Sequence, residues 1–167
     1  MVCSCKKAKP APELPSDLEW GPTLWTLLHT LAEKSGNSKK ANAQQYAWTY
    51  LINNLHNIIP CFECREHFLE YKKSYPFPDI LQLPYDTLRV SIRTWLWKLH
   101  EHVNKEKGII SDVSTDCLAE LYGNVNPTQA YYNLKAVLTK FFKTNLISII
   151  HWHVGERYIL SIISSLM

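Results

Sequence analysis

Two cysteines three residues apart, Cys61 and Cys64, offer the most distinctive chemistry in the sequence. Pro60 comes directly before them and helical periodicity begins at Cys61. Both side chains therefore lie on one face of a helix start, close enough to form a disulfide. Unpaired backbone N–H groups in a first helical turn stabilise a thiolate, the species that attacks a substrate disulfide. The pair is therefore a candidate centre for thiol-disulfide exchange.

Two other interpretations of the cysteine pair stay open. Together with His67, the pair forms a Cys-x2-Cys-x2-His string that could contribute to a zinc site. A second ligand pair at the usual spacing is missing, because Cys117 stands alone and His100 and His102 are only two residues apart. The cysteines could instead be buried, inert thiols. A thioredoxin-type module would need strands around the motif, and their absence favours a helical enzyme as the redox interpretation.

A second group of residues lies about 30 positions earlier. Trp25 and His29 are four residues apart, so they share one face of a predicted helix. An aromatic face beside a polar imidazole can hold a planar heterocycle. The alternative is a core tryptophan next to a histidine whose ring nitrogen bonds a backbone carbonyl.

A third group follows the cysteines. His100 and Asn104 are also four residues apart, and Lys107 lies nearby on the same helical side. A histidine, an asparagine and a lysine on one face can bind an adenine edge, a ribose hydroxyl and a phosphate. The alternative is the polar shoulder of an amphipathic helix.

The elements that carry these residues are predicted to be helices. Residues 144–167 are rich in Ile and stay ambiguous between helix and strand, and nowhere is there a convincing alternating strand or a βαβ unit. The pattern predicts an all-α protein built on a four-helix bundle. The predicted helices start after Gly21 and Pro22 and end before Gly36, then cover 39–59, 61–75, 85–107, 115–123 and 127–142.

Composition limits the possible classes of protein. The 167 residues are 46% hydrophobic, which is enough for one folded domain with an additional terminal segment. The net charge is only +3 and the basic residues are scattered, which argues against nucleic acid as a partner. The first residues contain no apolar segment typical of a signal peptide, and polar residues from His151 to Arg157 interrupt the apolar stretch near the C-terminus. We therefore expect a cytoplasmic protein, in which a close cysteine pair is more often catalytic or metal-binding.

The three groups in this order identify a known pattern. The chain resembles the Erv/ALR family of FAD-linked sulfhydryl oxidases over roughly residues 19–110. The resemblance rests on W-x3-H from Trp25 to His29, on Pro-Cys-x-x-Cys from Pro60 to Cys64, and on H-x-x-V-N-K from His100 to Lys105. The compact size is similar to that of members from large cytoplasmic DNA viruses, for which the location would be the host cytoplasm or the virion.

The resemblance implies a fold, an activity and roles for individual residues. It implies a four-helix bundle with a short fifth helix, FAD at one mouth of the bundle, and a homodimer. Thiol-containing protein substrates would exchange with Cys61, the outer sulfur, while Cys64 would lie next to the flavin, which passes electrons to O2 and gives hydrogen peroxide. The residues expected to contact FAD are Trp25, His29, His100, Val103, Asn104 and Lys105, with Lys107 as a further candidate. The rival hypothesis is a zinc-stabilised helical interaction module without catalysis; for the oxidase itself no metal is expected.

The chain departs from the family pattern at one structural position. Trp97 stands where cellular members often have a cysteine tied to a later cysteine. Cys117 falls a few residues too late for that pairing, so we expect it to be a free thiol.

Both ends of the chain lie outside the resemblance. The predicted division is a flexible, proline-containing arm at 1–19, the bundle at 20–123 and a C-terminal helical extension at 124–167. Cys3 and Cys5 in the arm are a candidate shuttle that would carry electrons from bulky substrates to the central pair. Their spacing of one residue differs from the usual two, so a plain exposed tail is the alternative. For residues 144–167, packing on the bundle is favoured over a dimer contact or association with a membrane surface.

Overall fold

The described part of the chain folds entirely into helices. The computed structural model describes residues 17–167, with side chains from residue 19, and Cys3 and Cys5 lie outside the described residues. The residues described contain no strand, which confirms the predicted all-α class. The helices are α1 (Asp17–Lys34), α2 (Ala41–Asn54), α3 (Phe62–Ser74), α4 (Leu88–Glu106), α5 (Leu118–Tyr122), α6 (Pro127–Phe142) and α7 (Ile149–Ser165), with 3-10 turns at Leu55–Ile58, Tyr85–Thr87 and Thr115–Cys117.

Helix α1 forms the centre of the core. Leu24, Leu27, Leu28 and Leu31 recur at helical spacing, and each is at least 95% buried. The helix packs against α4, α5 and α6. Because α1 contacts three other helices, its orientation in the fold is fixed, and so is the direction of its remaining side chains.

The observed start of α1 differs from the prediction. The helix begins at Asp17, whereas Gly21 and Pro22 predict a start after them. Pro22 lies inside the helix and lacks an N–H group, which would normally disfavour that position. The Thr23 hydroxyl donates to the carbonyl of Trp20 at 2.8 Å, and the Thr26 hydroxyl donates to the carbonyl of Pro22 at 2.8 Å. These side-chain hydrogen bonds lie in the turn around Pro22.

The remaining helices of the bundle pack through aromatic side chains. Phe68 and Tyr71 on α3 meet Trp95 on α4 edge to face, with ring centroids 6.5 and 5.7 Å apart. Trp48 on α2 is fully buried, and its indole N–H donates to the Ser35 hydroxyl at 2.9 Å. Buried tryptophans of this kind satisfy their single polar atom inside the core.

The last helix settles the ambiguity of residues 144–167. This region contains α7, which packs along α2 and on the 3-10 turn at Leu55–Ile58, while α6 packs along α1. Trp152, Ile159 and Ile162 of α7 are at least 99% buried. Packing on the bundle is thus what the structure shows for this segment. None of the described helices is both long enough and apolar enough to cross a bilayer.

A buried carboxylate joins α6 to α7. Glu156 accepts hydrogen bonds from the Tyr131 hydroxyl at 2.5 Å and the Lys135 ammonium at 2.7 Å, and His153 Nδ1 lies 3.0 Å away. Burial alone would raise the pKa of Glu156, but these hydrogen bonds outweigh it and lower the pKa to about 2. The carboxylate is therefore ionised at neutral pH and holds the two helices together.

The close contact between α7 and the 3-10 turn gives a test of this packing. A Cβ atom at Gly155 would lie 3.0 Å from a methyl group of Ile58. We expect Gly155→Val to lower the free energy of unfolding by about 1–3 kcal/mol, because it overpacks this contact. Urea unfolding followed by circular dichroism measures the change. Leu160→Val places a β-branched residue at an exposed position of the same helix and serves as the control. Equal stability of the two variants would contradict the packing described.

Candidate active site

The cysteine pair forms a disulfide at the start of α3. Cys61 and Cys64 are bonded, with their Cα atoms 5.2 Å apart. Cys61 is the N-cap of the helix, in extended conformation, and its Sγ accepts a hydrogen bond from the Cys64 N–H at 3.1 Å. An N-cap sulfur next to unpaired backbone N–H groups is stabilised when it becomes a thiolate. The geometry thus supports Cys61 as a sulfur that is released easily during exchange.

The two sulfurs face different surroundings. Cys64 lines a small, mostly apolar cavity of about 80 Å³, whereas Cys61 does not line it. Phe62, which follows Cys61, is 70% exposed. Both cysteines are partly buried, so what distinguishes them is that Cys64 borders the cavity and Cys61 does not. The cavity walls come from Trp20, Leu24, Leu28, Leu55, Ile59, Phe68 and Leu99, among others.

A second and larger cavity of about 350 Å³ adjoins the first. Gly21, Trp25, Val103 and Lys107 line both, so the two cavities share walls and together make up a cleft between α1 and α4. We call it the α1–α4 cleft. Its far part is lined by Pro22, Thr26, His100, Asn104, Ile109 and Tyr122.

Aromatic rings from three helices stack at the far part of the cleft. The rings of Trp25 and His100 are parallel within 9°, with centroids 4.1 Å apart. His29 Nε2 lies 3.1 Å from His100 Nδ1, and Tyr122 stacks on the His29 ring at 4.8 Å. The two helical faces that the sequence indicates separately, one on α1 and one on α4, meet here in a single site.

The cleft fits a flat aromatic ligand with a polar edge. His29 is 99% buried, and its Nδ1 has no hydrogen-bond partner among the described residues. An unpaired buried donor or acceptor costs free energy unless a ligand or a water molecule satisfies it. The walls are mainly apolar, while His100, Asn104 and Lys107 supply polar groups on one side. A binding site for a planar cofactor has this composition.

The structure brings most of the predicted cofactor contacts to the cleft. Trp25, His100, Val103, Asn104 and Lys107 line it. His29 lies behind the stack rather than on the cleft wall. Lys105 is exposed and lines neither cavity, so its contact with a cofactor stays a prediction.

Some lining residues carry no signal in the sequence. Tyr122 reaches the cleft because α5 packs on α1, where Lys34 donates to the carbonyl of Gly123 at 2.7 Å. Ile109 belongs to the loop after α4. Both positions depend on tertiary packing, and neither follows from a helical spacing that the sequence displays.

The comparison with known proteins identifies the family. Residues 22–120 match the Erv1 / Alr family, which is more than half of the chain. The chain belongs to the Erv1/Alr family. No solved structure matches the chain at a significant level.

Curated plant proteins are similar to this Erv1/Alr domain. The chain is 33% identical to "Sulfhydryl oxidase 1" of Oryza sativa subsp. japonica over 81 residues, which are 48% of this chain and 14% of that protein. It is 32% identical to "FAD-linked sulfhydryl oxidase ERV1" of Arabidopsis thaliana over 92 residues, 53% of this chain and 42% of that protein. The chain thus spans less than half the length of these relatives.

Hydrogen bonds connect α4 to the loop that follows it. The Trp97 indole N–H donates to the carbonyl of Val113 at 2.8 Å, and the Arg93 guanidinium donates to the carbonyl of Thr115. These bonds hold the loop after α4 against the helix. Cys117 is an exposed free thiol, as predicted.

The string of potential zinc ligands does not assemble in the described residues. No three His, Cys, Asp or Glu side chains between residues 19 and 167 converge on a point that could hold a metal ion. His67 Nδ1 instead lies 3.4 Å from a carboxylate oxygen of Glu106, which also pairs with His102 at 3.1 Å. The zinc hypothesis therefore gains no support from this part of the chain.

The buried histidine predicts a pH dependence of stability. Burial, and then the neighbouring His100, lower the pKa of His29 from 6.5 to about 3. Between these pH values the unfolded chain binds a proton that the folded chain excludes, so His29 makes stability fall as the pH decreases from about 6.5 towards about 3. We expect His29→Gln to flatten this dependence in urea unfolding between pH 7 and pH 4. His67→Gln, at an exposed histidine, is the control, and parallel profiles for all three proteins would refute the assignment.

Proposed function

We propose that this chain is an FAD-dependent thiol oxidase that forms disulfide bonds in thiol-containing protein substrates. The observation that carries the proposal is the Cys61–Cys64 disulfide at the end of the α1–α4 cleft, with Cys64 in the cleft wall. Bound FAD would accept two electrons from the reduced pair and transfer them to O2, which gives hydrogen peroxide. Membership of the Erv1/Alr family and the names of the similar plant proteins support the same activity.

The residues of the cleft would bind and orient the cofactor. Trp25 and His100 present stacked rings, and the apolar wall around Cys64 excludes water from the sulfur. Asn104 and Lys107 supply polar groups on one side of the cleft. A dry, aromatic surrounding lets the protein fix the cofactor while the chemistry remains that of the flavin.

The cysteines would exchange with substrate in two steps. A substrate thiolate attacks Cys61 Sγ, the Cys61–Cys64 bond breaks, and Cys64 leaves as a thiolate inside the cleft. A second substrate thiolate then attacks the substrate sulfur of the mixed disulfide, which releases the oxidised substrate and the Cys61 thiolate. The Cys64 N–H and the helix start stabilise this leaving group, and a lower thiol pKa makes a faster leaving group.

The wider context of the activity is proposed from the sequence alone. A homodimer, an origin in a large cytoplasmic DNA virus, and a location in the host cytoplasm or virion follow from the family resemblance and the compact size. Disulfides are rare in the cytosol, so an oxidase located there would supply them to its substrate proteins.

The central test removes one sulfur at a time. Cys64→Ser and Cys61→Ser should each reduce peroxide formation with dithiothreitol to the rate of free FAD, because neither variant can form the disulfide. Both should keep the yellow absorbance of bound FAD. Cys117→Ser is the matched control, since its thiol is exposed and unbonded, and it should retain the wild-type rate. A fully FAD-loaded Cys64→Ser protein with wild-type peroxide formation would refute the proposal.

The same variants test which sulfur meets the substrate. Cys61 is retained in Cys64→Ser, and this protein should form a mixed disulfide with glutathione disulfide faster than Cys61→Ser does. The reason is that Cys64 lies in the cavity wall while Cys61 does not. Mass spectrometry follows the added glutathione. The reverse order of rates would mean that Cys64, and not Cys61, exchanges with the substrate.

Cys3 and Cys5 are proposed to act as a shuttle for bulky substrates. Helix α1 begins one turn before Trp20, which lines the same cavity as Cys64, so the preceding chain joins the fold near the redox pair. Asp17 lies 12 positions after Cys5, and a segment of that length reaches at most ~40 Å. Substituting both cysteines by Ser should slow oxidation of a reduced protein substrate and leave dithiothreitol oxidation unchanged. An equal loss on both substrates would exclude the shuttle.

A further inference from the structure

One side chain connects the redox motif to the C-terminal helices. Arg65 directly follows Cys64 and is partly buried. Its Nε donates to the carbonyl of Ile59 at 2.5 Å, and its Nη2 donates to the carbonyl of Leu146. Leu146 lies between α6 and α7, outside the region that matches the family.

The segment held by the first hydrogen bond determines where Cys61 lies. Ile59 and Cys61 are both extended, with ψ angles of 120° and 125°, so they belong to neither the preceding 3-10 turn nor α3. Pro60 between them has no N–H to donate. Because this segment is not helical, it lacks the regular backbone hydrogen bonds of a helix. The Arg65 side chain supplies one hydrogen bond to it, at the Ile59 carbonyl.

The segment held by the second hydrogen bond has a defined shape of its own. Asn145 adopts a φ of 57°, in the left-handed region that ends many helices. The N–H groups of Thr144 and Asn145 donate to the carbonyls of Phe141 and Phe142, both at 3.3 Å. This tight turn orients the next carbonyl, that of Leu146, towards Arg65.

The C-terminal helices also reach the motif by direct packing. Gly155 of α7 approaches Ile58 so closely that a Cβ atom would be 3.0 Å from it. Ile58 ends the 3-10 turn that leads into Ile59 and Pro60. Two independent contacts, one polar and one apolar, therefore join α6 and α7 to the residues that precede Cys61.

We infer that Arg65 is a positioning residue, and that through it the α6–α7 turn sets how readily Cys61 and Cys64 close into a disulfide. The inference rests on the proposed function and extends it, because it makes the C-terminal helices part of the redox site. Arg65 lines neither cavity of the α1–α4 cleft, so it acts on the sulfur pair and not on the cofactor.

Thiol-disulfide equilibrium measures this effect directly. One Cys61–Cys64 disulfide reacts with two glutathione molecules to give two protein thiols and one glutathione disulfide, so one S–S bond breaks and one forms. The equilibrium constant reports the effective concentration of one protein sulfur next to the other. Under anaerobic conditions, which stop turnover of the flavin, alkylation of thiols followed by mass spectrometry reads the ratio of the two forms.

Arg65→Lys is the test variant. It keeps the positive charge, but an ammonium group on a flexible stem lacks the planar fork that bridges two carbonyls. The equilibrium should shift towards the dithiol about tenfold, as expected for the loss of one charge-assisted hydrogen bond. Visible absorbance of bound FAD should not change. An equilibrium within twofold of the wild type would overturn the inference.

Arg93→Lys is the matched control. Arg93 likewise donates to a loop carbonyl, that of Thr115, and it pairs with Glu33 at 2.7 Å, on contacts that do not involve the cysteine motif. Its substitution should leave the glutathione equilibrium unchanged. If Arg93→Lys shifts it as much as Arg65→Lys, the effect is general loosening and the inference fails.

A pair of substitutions in the turn tests the connection from the other end. Asn145→Val disfavours the left-handed conformation, while Asn145→Gly accepts it. Asn145→Val should move the equilibrium in the same direction as Arg65→Lys, and Asn145→Gly should not. In the double variant the two shifts should not add, because both act through one contact. Two results would show that the turn does not act on the cysteine pair. One is a folded Asn145→Val protein with the wild-type equilibrium. The other is a double variant in which the shifts of Asn145→Val and Arg65→Lys add fully.

The outcomes for the inference and for the proposed function are separate. A wild-type protein that oxidises no thiols would refute the oxidase, while the equilibrium shift of Arg65→Lys would still establish the positioning role. If the protein is an active oxidase and Arg65→Lys leaves its glutathione equilibrium unchanged, only the positioning role is refuted.

Discussion

The burial of α1 among three other helices is the constraint on which the site depends. Its leucine face is buried in the core, and Trp25, three residues before Leu28, stacks on His100 of α4. The same helix carries Trp20 to the wall beside Cys64. One helix therefore aligns the aromatic part of the cleft with the disulfide, and close packing leaves little freedom for that alignment to change.

Two buried polar side chains of this core are paired with other side chains. Burial lowers the pKa of His29, so its ring stays neutral at neutral pH. A neutral ring can form the hydrogen bond between its Nε2 and the Nδ1 of His100. Glu33 is nearly buried and pairs with Arg93, whose second contact holds the loop after α4. Breaking either pair would leave a polar group inside the protein without compensation, which is more costly than never burying it.

The sequence predicts those parts of the site that depend on local spacing. Residues four apart, such as Trp25 with His29 or His100 with Asn104, share a helical face in any fold, and Cys61 with Cys64 can bond wherever a helix starts. The contact between these faces of α1 and α4 depends on tertiary packing. It was expected from the family resemblance and not from the spacing. Tyr122 and the contact of Arg65 with Leu146, 81 residues away, carry no local pattern at all. The helical start before Pro22 was missed because proline is typical of a first helical turn, whereas here it lies inside α1.

The pairing of α2 with α7 has a consequence for how the chain acquires its structure during synthesis. Gln44 on α2 donates to the hydroxyl of Ser165 at 2.7 Å, across 121 positions of sequence. The ribosome must therefore make nearly the whole described chain before α2 can complete its contacts. Until then the apolar side of α2 is exposed to water and to other nascent chains, which is the stage at which aggregation competes with folding. Long-range contacts of this kind also slow folding relative to a bundle with only neighbouring helices in contact.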